Sequence, residues 1–502
     1  MATATLSSTP TVIDNAEAIT NWGGDTFSLE PDIKVQGSNS VACAQTATGN
    51  NDVYVSGSWN FSAGGAGDQH LRLWFNITYI GNLATSNQIQ VFLSDGTNTA
   101  YYYWDKASSY SGGWAQVVIY TGDTPDSGSV NKASITQIGM RFVTTTKPRN
   151  VPANAWFDAW TYGDGYTVTG GTSGDPINWS HIAAADKTNG YGIVTNIDDV
   201  FFLKGAVQIG NGSSAVYFSP TGQLVQFTNE QVSSSLYKIS FADSGSALSN
   251  VNISDGAWAA ASGAPRYVID ASDTDINDFS LSGVQISSAG AISFHTGASV
   301  LNCVWNNCGR ITPSGATFQG HTISNFVSST EGALLWPTSG NTSKCDFINC
   351  DLGVEITQTA NQVFSGMTFD DVSGNYDVFL NNGGNNIEVA KTGGSNPNSY
   401  TTNGGGTVTF TASVTLTISA NVSLVGAEVR IYDLDGAGGT DYGTELAGTE
   451  SHNAATYAYT GNSGNLVAIQ VMLLGYVEFV QSITMPSSDQ TLDIKLVLDV
   501  NS

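Results

Sequence analysis

Leu281-Ser282-Gly283-Val284-Gln285-Ile286 is the clearest copy of a motif that recurs through the middle of this chain. Other copies are Leu248-Ser249-Asn250-Val251-Asn252-Ile253, Phe318-Gln319-Gly320-His321-Thr322-Ile323 and Phe364-Ser365-Gly366-Met367-Thr368-Phe369, with weaker ones at Leu301–Trp305 and Ser343–Ile348. The Asn, Gly or Cys of each copy stands at 250, 283, 303, 320, 345 and 366. One coil of a right-handed parallel β-helix needs about 20 residues for its short strands and corners. The repeat therefore predicts a β-helix over residues 201–403, and a second β-sandwich is the alternative.

Upstream of the repeat, residues 1–167 carry the alternation of half-buried β-strands. In the run from Leu71 to Tyr79, every second residue is apolar, beginning with Leu71, Leu73 and Phe75. Because successive side chains of a strand point to opposite faces, these residues share one buried face. Similar runs at 89–93, 114–120 and 155–160 predict further strands. The pattern indicates an N-terminal β-sandwich.

Three short motifs give this first sandwich a family resemblance. Trp22-Gly23-Gly24-Asp25 stands near its start, Leu71-Arg72-Leu73-Trp74-Phe75 in its middle, and Trp156-Phe157-Asp158 at its end. In order and texture they resemble the jelly-roll carbohydrate-binding modules related to galactose-binding-like domains. The resemblance covers about a third of the chain and implies a jelly-roll fold. The resemblance is weaker evidence for function than for fold, because jelly rolls serve many roles.

The rest of the chain is also predicted to be β-structure, with one exception. Residues 168–200 read as a Gly/Ser-rich linker followed by a single helix near Ile182 to Lys187. Residues 404–502 show long alternating strands and resemble an immunoglobulin-like or prealbumin-like sandwich, without the Cys…Trp…Cys pattern of antibody domains. The predicted fold class is therefore all-β: a jelly roll, a linker, a β-helix and a terminal sandwich.

Composition narrows the classes of function. The 502 residues include 42 acidic and 16 basic side chains, for a net charge of −26. So acidic a surface repels nucleic-acid phosphates and anionic membranes, and we expect neither as a partner. No apolar run reaches the roughly 18 residues of a membrane span, and the N-terminus lacks the pattern of a signal peptide. Five cysteines, an odd number, argue against a disulfide framework.

Carboxylates along the repeat are the first candidates for catalysis. A polysaccharide-cleaving pair stands roughly 5–10 Å apart, and the candidates are Asp255, Asp270, Asp273, Asp275, Asp346, Asp351, Asp370 and Asp371. In polygalacturonase-like families the acidic pair precedes the Gly-His-Gly and Arg-Ile-Lys motifs. Here the order is reversed, because Arg310-Ile311-Thr312 and Gly320-His321-Thr322 come before Asp370-Asp371, so the family pattern is not matched. A lyase would need a base such as Arg266, Arg310 or Lys344 beside calcium ligands. We interpret these carboxylates as solvated turns and assign no catalytic residue.

Two other groups of residues resemble metal sites. Cys303/Cys308 and Cys345/Cys350 have the spacing of zinc ligands, but both pairs fall at matching repeat positions. Thiols that fill the interior of the coils explain this better, and Cys43 is likewise expected in a core. The loop from Asp433 to Glu445 resembles a calcium loop but has Ala437 at its fifth position. We therefore predict no metal and no cofactor.

One surface is a candidate for binding. If Leu71 and Leu73 face the core, Arg72 and Trp74 face away from it, and the same alternation places Gln90 and Phe92 on an outward face. Aromatic rings beside amide and guanidinium groups suit sugars, which need a flat apolar platform and directional hydrogen bonds. The alternative is that these four residues pack against a neighbouring domain or subunit.

The sequence of modules resembles the appendage, fibre and capsid-decoration proteins of tailed bacteriophages. This resemblance implies a virion structural protein on the particle surface, made in the host cytoplasm and assembled as a homotrimer. Its partners would be other virion proteins and host surface polysaccharide. A tailspike-type polysaccharide hydrolase or lyase and a bacterial surface adhesin are the alternatives.

Overall fold

The computed structural model describes residues 2–62, 70–104, 110–149, 151–227, 238–242, 249–260, 267–273, 278–370, 374–434, 445–462, 465–486 and 489–499. Strands make up 52 % of the chain and helix 4 %, which confirms the predicted all-β class. The chain divides into two compact units, Met1–Val327 with Pro337–Thr342 and Ser328–Trp336 with Ser343–Ser502. No helix among the described residues is long and apolar enough to span a membrane.

The first unit begins with a two-sheet sandwich. The strands of this part of the chain are β1 (Ala4–Ser7), β2 (Thr11–Asp14), β3 (Trp22–Gly23), β4 (Phe27–Glu30), β5 (Ser40–Cys43), β6 (Gly49–Trp59), β7 (His70–Ile77), β8 (Ile89–Ser94), β9 (Thr99–Tyr103), β10 (Ala115–Tyr120), β11 (Ser127–Gly128), β12 (Ile135–Thr144), β13 (Ala155–Tyr162) and β14 (Gly165–Gly170). Strands β2 to β13 form the sandwich, and β1 pairs with β14 outside it. Short 3₁₀ helices occupy Ile80–Asn82 and Lys132–Ser134.

The two sheets have different surroundings, so we name them. The docked sheet has the order β10-β7-β13-β5-β4, with β2 beside β13. The open sheet has the order β11-β9-β8-β12-β6-β3. Leu71, Leu73 and Phe75 of the docked sheet pack with Val91 and Met140 of the open sheet in one core. The alternation read from the sequence therefore assigned the buried row of β7 correctly.

The stretch predicted as a linker carries regular structure. It holds the end of β14, helix α1 (Trp179–Asn189), β15 (Val194–Ile197) and the first residue of β16 (Val200–Leu203). Asn178 caps α1 by accepting hydrogen bonds from the amides of Ser180 and His181, and Gly190 ends it in the left-handed conformation. Helix α1 contains the predicted helical segment. Trp179 and Ile182 are buried, so this stretch is packed rather than a free connector.

A stack of parallel strands follows in the first unit. Its remaining strands are β17 (Ala206–Ile209), β18 (Val216–Phe218), β19 (Leu224–Phe227), β20 (Lys238–Phe241), β21 (Ser249–Ser254), β22 (Ala257–Ala260), β23 (Val268–Ala271), β24 (Asp278–Ser282), β25 (Gln285–Ser287), β26 (Ile292–Phe294), β27 (Ser299–Leu301), β28 (Val304–Asn306), β29 (Ile311–Thr312) and β30 (Thr317–Ser324). Strands three apart in sequence pair in parallel, as β19 does with β22 and β22 with β25. Each coil therefore contributes three strands, which is the architecture that the repeat predicts.

The corner of each coil differs in register from the prediction. Asp255, Gly283, Asn302 and Gly320 have φ of 54°, 68°, 53° and 76° and stack above one another. Each of the first three amides donates to a carbonyl of the following coil. Asn250 and Cys303, placed at this corner from the sequence, lie elsewhere. Left-handed backbone favours Gly, Asn and Asp, so the true column follows the conformation and not the apparent motif.

Correcting the register explains the interior of the stack. The residues three positions after the corners are Trp258, Ile286, Trp305 and Ile323, and all are at most 3 % exposed. They pair with one another in register across β22, β25, β28 and β30. The side chains directly after the corners, Val284, Cys303 and His321, are also buried. Burial raises the pKa of Cys303 to about 11 and lowers that of His321 to about 3. The repeat cysteines thus lie inside the coils.

The second unit contains further coils and a sandwich. Its strands are β31 (Leu334–Leu335), β32 (Asn341–Ile348, which begins in the first unit), β33 (Leu352–Ile356), β34 (Gln362–Ser365), β35 (Thr368–Phe369), β36 (Tyr376–Leu380), β37 (Ile387–Thr392), β38 (Tyr400–Thr402), β39 (Val408–Ala420), β40 (Glu428–Asp433), β41 (Glu445–Thr449), β42 (Tyr457–Asn462), β43 (Leu466–Met472), β44 (Phe479–Thr484) and β45 (Gln490–Ile494). Strands β31, β33, β36 and β38 pair in parallel, as do β34, β37 and β39.

The terminal sandwich of the second unit packs two sheets over one core. The second half of β39 pairs with β42 and β45, and the other sheet has the order β41-β40-β43-β44. Leu416, Ile431 and Ile469 are fully buried between them.

In the coils of the second unit, Lys344 and Gly366 take the left-handed corner conformation. Gly366 is the corner residue that the sequence predicts. Lys344 lies one residue before the predicted corner residue, Cys345.

Candidate functional site

The outer side of the open sheet is the candidate functional site. Val53, Val91 and Met140 point into the core from β6, β8 and β12. Their neighbours in the chain therefore point outward, away from the sandwich interior. We call this surface the aromatic face and define it by its outward residues, Asp52, Tyr54, Gln90, Phe92, Tyr101, Tyr103, Gly139 and Arg141.

Strand register brings aromatic residues of the aromatic face into one row. Tyr54 is paired with Gly139, Gly139 with Phe92, and Phe92 with Tyr101 across four neighbouring strands. The ring centroids of Tyr54 and Phe92 are 6.4 Å apart, and those of Phe92 and Tyr101 are 6.0 Å apart. Phe92 is 5 % exposed and forms the floor of the row. Tyr54 and Tyr101 are partly exposed on either side of it.

Glycines let these rings lie down on the sheet. A Cβ atom at Gly139 would stand 2.3 Å from Cζ of Phe92, so the ring occupies the space above that glycine. A Cβ atom at Gly23, on β3, would stand 2.6 Å from Cε2 of Tyr54 in the same way. Such distances are far inside van der Waals contact. The two glycines therefore make room for rings that lie across the strands.

A charged pair borders the aromatic row. Arg141 donates from Nε and Nη2 to the two carboxylate oxygens of Asp52, each at 2.6 Å. The guanidinium carbon also lies 4.5 Å from the ring centroid of Tyr101. The hydrogen bond to Asp52 is the main reason that the pKa of Arg141 is raised above its ordinary value. Arg141 is held in a fixed bidentate geometry with its charge offset by Asp52.

Polar groups complete the edge of the face. Gln90 stands between Arg141 and Tyr103 in the strand register, and its Nε2 donates to the carbonyl of Asn87 at 2.8 Å. The backbone amide of Tyr103 donates to Asp126 at 2.7 Å. The aromatic face therefore combines partly exposed phenol rings with amide, carboxylate and guanidinium groups.

The structure separates the four residues that the sequence grouped together. Gln90 and Phe92 lie on the open sheet, whereas Arg72 and Trp74 lie on β7 of the docked sheet. Arg72 is 0 % and Trp74 2 % exposed. Both point away from the sandwich core, as predicted, but residues that follow the sandwich cover them. A sugar ring therefore cannot stack on Trp74, and this part of the sugar-platform hypothesis is corrected.

Specific contacts hold the docked sheet under this cover. Trp74 donates from Nε1 to the carbonyl of Gly192 at 3.1 Å, and the ammonium of Lys204 lies 5.5 Å from its ring centroid. Arg72 donates from Nε to the carbonyl of Lys204 and from Nη2 to that of Asp164, both at 2.9 Å. Carbonyl oxygens thus accept from two of the three nitrogens of a guanidinium that is removed from water.

Two buried carboxyl groups support the same junction. Asp158 accepts hydrogen bonds from the amides of Val35 and Gln36, at 2.7 and 3.0 Å. Asp186 of α1 accepts from Tyr166 and from three amides, those of residues 192–194. Burial outweighs these bonds, raising the pKa of Asp158 to about 7 and that of Asp186 to about 6.

Three of the carboxylates singled out along the repeat serve local structure. Asp270 accepts hydrogen bonds from the amide and the hydroxyl of Ser272. Its Oδ2 also lies 3.7 Å from Nζ of Lys238, a base that was not among the candidates from the sequence. Asp351 accepts from the amide of Ser328, and Asp370 from that of Asn349. Asp275, Arg266, Asp371 and residues 435–444 of the calcium-like loop lie outside the described residues. Within the described ranges, no three metal-ligating side chains form a cluster.

Sequence reasoning missed most of the aromatic face. Tyr54, Tyr101 and Arg141 lie on strands whose alternation is as clear as that of β7 and β8. Applying the rule to the outward positions of every strand would have named them. What the rule lacks is register, because it does not say which outward residues stand side by side.

Comparisons with known proteins find limited similarity between this chain and two solved structures. No protein-family model matches the chain, and no curated protein matches it either. Two solved structures align with 12 % identity, 31 % of this chain and a TM-score of 0.21. One is a family 11 carbohydrate-binding module from Clostridium thermocellum in complex with a β-1,3-1,4-mixed-linked tetrasaccharide, covered over 97 % of its length. The other is the family 11 module of a cellulosomal cellulase of Clostridium thermocellum, covered over 96 %.

Proposed function

We propose that the aromatic face binds uncharged polysaccharide and that the protein is a non-enzymatic structural component of a bacteriophage particle. The observation that carries the binding proposal is the row of Tyr54, Phe92 and Tyr101 beside the bidentate Arg141–Asp52 pair. Sugar rings present flat C–H faces and equatorial hydroxyls. The row offers rings for the first, and the pair offers fixed donors and acceptors for the second.

Charge supports a neutral ligand over an anionic one. The chain carries a net charge of −26, which repels polyanions such as uronate-rich chains. Arg141 is the cation within the defined face, and Asp52 offsets its charge at 2.6 Å. An anionic sugar would have to compete with Asp52 for the guanidinium. A neutral sugar can accept from Arg141 and donate to Asp52 without breaking the pair.

The binding test uses Tyr101→Ala, because Tyr101 contacts both Phe92 and Arg141. We expect the variant to bind neutral soluble polysaccharides about 2–13-fold more weakly, the size of one aromatic stacking contact of about 0.5–1.5 kcal/mol. Tyr376→Ala is the matched control, since Tyr376 is a 40 % exposed tyrosine of the second unit. Affinity electrophoresis against neutral and anionic polysaccharides measures the effect. Equal binding by both variants, or binding of anionic chains alone, contradicts the proposal.

The virion role rests on the order of modules and on charge. A jelly roll, parallel coils and a terminal sandwich in one acidic chain resemble phage appendage and decoration proteins. In this role the protein assembles as a homotrimer, docks on other virion proteins and contacts host surface polysaccharide. Electron microscopy of the source particle, with an antibody to the purified chain, tests the location. Unlabelled particles would contradict it. Release of reducing sugar from a bound polysaccharide would favour the tailspike-type hydrolase or lyase.

A further inference from the structure

Two cavities adjoin helix α1 and the part of the sandwich between β2 and β5, within the first unit. The larger has a volume of about 450 Å³ and the smaller one of about 290 Å³. Gln36 and Lys187 line both cavities, so we treat the two as one site and call it the junction cleft. Polar residues such as Asn15, Ser38 and Thr188 line the larger cavity, and Ala183, Ala184 and Thr195 line the smaller.

Gln36 contributes a buried amide group that is only half used. The residue is 2 % exposed, and its Oε1 accepts a hydrogen bond from the amide of Gly192 at 3.1 Å. This contact identifies the other amide atom as Nε2, a donor, which has no hydrogen-bond partner among the described residues. Nε2 lies beside the larger cavity, because a Cβ atom at Gly190, which lines that cavity, would stand 3.8 Å from it. An acceptor bound in the cleft would supply the missing partner.

Thr195 of β15 is a second buried polar group at the cleft. It is 3 % exposed and lines the smaller cavity, and its hydroxyl has no hydrogen-bond partner within the described ranges. Native proteins leave few buried polar groups unpaired, so two at one cavity indicate a ligand. Gln36 offers a donor, and the hydroxyl of Thr195 can donate or accept. This pair complements the carbonyl and the N–H of a neutral amide.

Charge around the cleft favours a neutral ligand. Lys187 is the one basic residue among the described residues of its lining, and it forms no ion pair with another described residue. Glu17 lines the larger cavity. Asp158 accepts from the amide of Gln36, and Asp186 accepts from an amide of the adjoining strand β15. Three carboxyl groups around one ammonium would repel an added carboxylate.

The two cavities differ in polarity, and this difference describes the ligand. The larger is lined by polar side chains and glycines among its described residues, which suits a body that carries hydroxyl groups. The smaller sets the methyl groups of Ala183 and Ala184 near Gln36 and Thr195. A ligand that fills both therefore joins a polyhydroxylated body to a small neutral group with a methyl, a carbonyl and an N–H.

We propose that the junction cleft binds an N-acetylated sugar residue, with the acetamido group in the smaller cavity and the ring hydroxyls in the larger. The acetamido carbonyl accepts from Nε2 of Gln36, its N–H donates to the hydroxyl of Thr195, and its methyl group contacts the two alanines. The inference rests on the proposed binding of neutral polysaccharide and names the class of sugar. The cleft is a second site, separate from the aromatic face.

The test is a ligand-observed NMR titration of the full chain with N-acetylglucosamine and with glucose, which differ in one acetamido group. We expect the natural chain to bind N-acetylglucosamine at least about tenfold more tightly than glucose. Thr195→Val keeps the side-chain shape and removes a hydroxyl without a partner among the described residues, so the variant should melt at least as high as the natural chain. Its preference for N-acetylglucosamine should fall about 2–13-fold, the size of one hydrogen bond.

Two further variants separate the cleft from other causes. Thr317→Val is the matched control and should keep the preference, because Thr317 is exposed on β30 and lines neither cavity. Ala184→Leu fills the smaller cavity from an exposed position of α1, so it should abolish the preference while the chain still folds. Tyr101→Ala should weaken binding at the aromatic face and leave the preference of the cleft unchanged.

The outcomes of the two binding proposals can be told apart. Equal affinity for both sugars, or a preference that survives both Thr195→Val and Ala184→Leu, would overturn the cleft and leave the aromatic face standing. Tighter binding of glucuronate or of an acetylated dipeptide amide would overturn the assignment to a neutral sugar. A preference that Thr195→Val lowers, in a chain whose polysaccharide binding Tyr101→Ala leaves intact, would support the cleft and contradict the aromatic face.

Discussion

In both sheets of the N-terminal sandwich, alternate residues point into the shared core. The outward residues of one sheet are buried, whereas those of the other are partly exposed. On the docked sheet, Arg72 and Trp74 point outward and are covered by residues 164, 192 and 204. On the open sheet, Tyr54 and Tyr101 point outward and stay partly exposed. The difference teaches that an outward aromatic residue is a binding candidate only after the packing of the next module is known.

The covered side also explains why the sandwich and the first coils act as one unit. Strand β1 pairs antiparallel with β14, and β14 pairs in parallel with β17 of the stack. Polar groups buried between them, such as Arg72 and Asp186, have backbone partners. The docked sheet therefore contributes stability, while outward residues of the open sheet such as Tyr54 and Tyr101 stay partly exposed.

Replacing Trp74 tests this division most strongly. Trp74→Ala removes a buried indole and its hydrogen bond to Gly192, so we expect a loss of about 3–5 kcal/mol in the free energy of unfolding. Urea unfolding followed by tryptophan fluorescence measures it. Tyr101→Ala on the open sheet is the comparison and should lose much less. Equal losses would mean that the two outer sides do not differ in burial.

Acidity should strengthen the docked side. The folded pKa values of Asp158 and Asp186, about 7 and about 6, lie above the ordinary 3.8. At these two carboxyl groups the folded chain binds more protons than the unfolded chain between about pH 4 and 7, so their contribution to stability falls as pH rises through that window. The buried His321, whose pKa is lowered to about 3, acts in the opposite direction below about pH 6.5. We expect the two carboxyl groups to contribute a gain on the order of a few kcal/mol from pH 8 to pH 5, which the buried histidines partly offset.

The control for the pH effect is Asp158→Asn, whose side-chain oxygen can still accept from Val35 and Gln36. On acidification from pH 7 to pH 4 this variant should gain less stability than the natural chain does, measured by urea unfolding at each pH. A variant with the same pH profile as the natural chain would contradict the role of Asp158. Below about pH 4 the trend reverses, because groups with lowered pKa, such as Asp95 at about 2, lose their stabilising hydrogen bonds.

A larger side chain beneath the aromatic row of the open sheet should lower both the stability of the fold and the affinity for polysaccharide. Gly139→Ala places a methyl group where the ring of Phe92 lies and 2.6 Å from the carbonyl oxygen of Val53, so the ring and the neighbouring strand β6 must both shift. We expect a loss of about 1–3 kcal/mol in stability, as overpacking causes, with weaker binding of neutral polysaccharide. Gly81→Ala is the control, because a Cβ atom there meets nothing within 4 Å. Unchanged binding by Gly139→Ala would show that ring position is unimportant.

The smallest expected effect concerns selectivity. Asp52→Asn removes the carboxylate that offsets Arg141, so anionic polysaccharide should bind a few-fold better, the size of a partly exposed ion pair at about 0.2–1 kcal/mol. Binding of neutral chains should change less. Asp52→Glu keeps the charge and is the control in affinity electrophoresis. If neutral chains lose as much affinity as anionic chains gain, the pair binds the ligand rather than selecting it.

Much of the fold was predictable from local pattern. Alternation located β7 and β8, and the repeat identified parallel coils, because a strand and a coil each impose a fixed period on the chain. The corner register was not predictable at residue level. Cys303 resembles a corner residue in the motif, yet the backbone turns at Asn302. The difference of one residue depends on which amide pairs with the neighbouring coil.

The candidate site divides in the same way. Sequence determined that Arg72, Trp74, Gln90 and Phe92 all point away from the sandwich core, because the two-residue period of a strand fixes the side of each side chain. Only the tertiary structure decided that Arg72 and Trp74 are covered, through contacts with residues about 90–130 positions further along the chain. The same structure set Phe92 beside Tyr54 and Tyr101, because strand order and register, which no local pattern encodes, determine neighbours across a sheet.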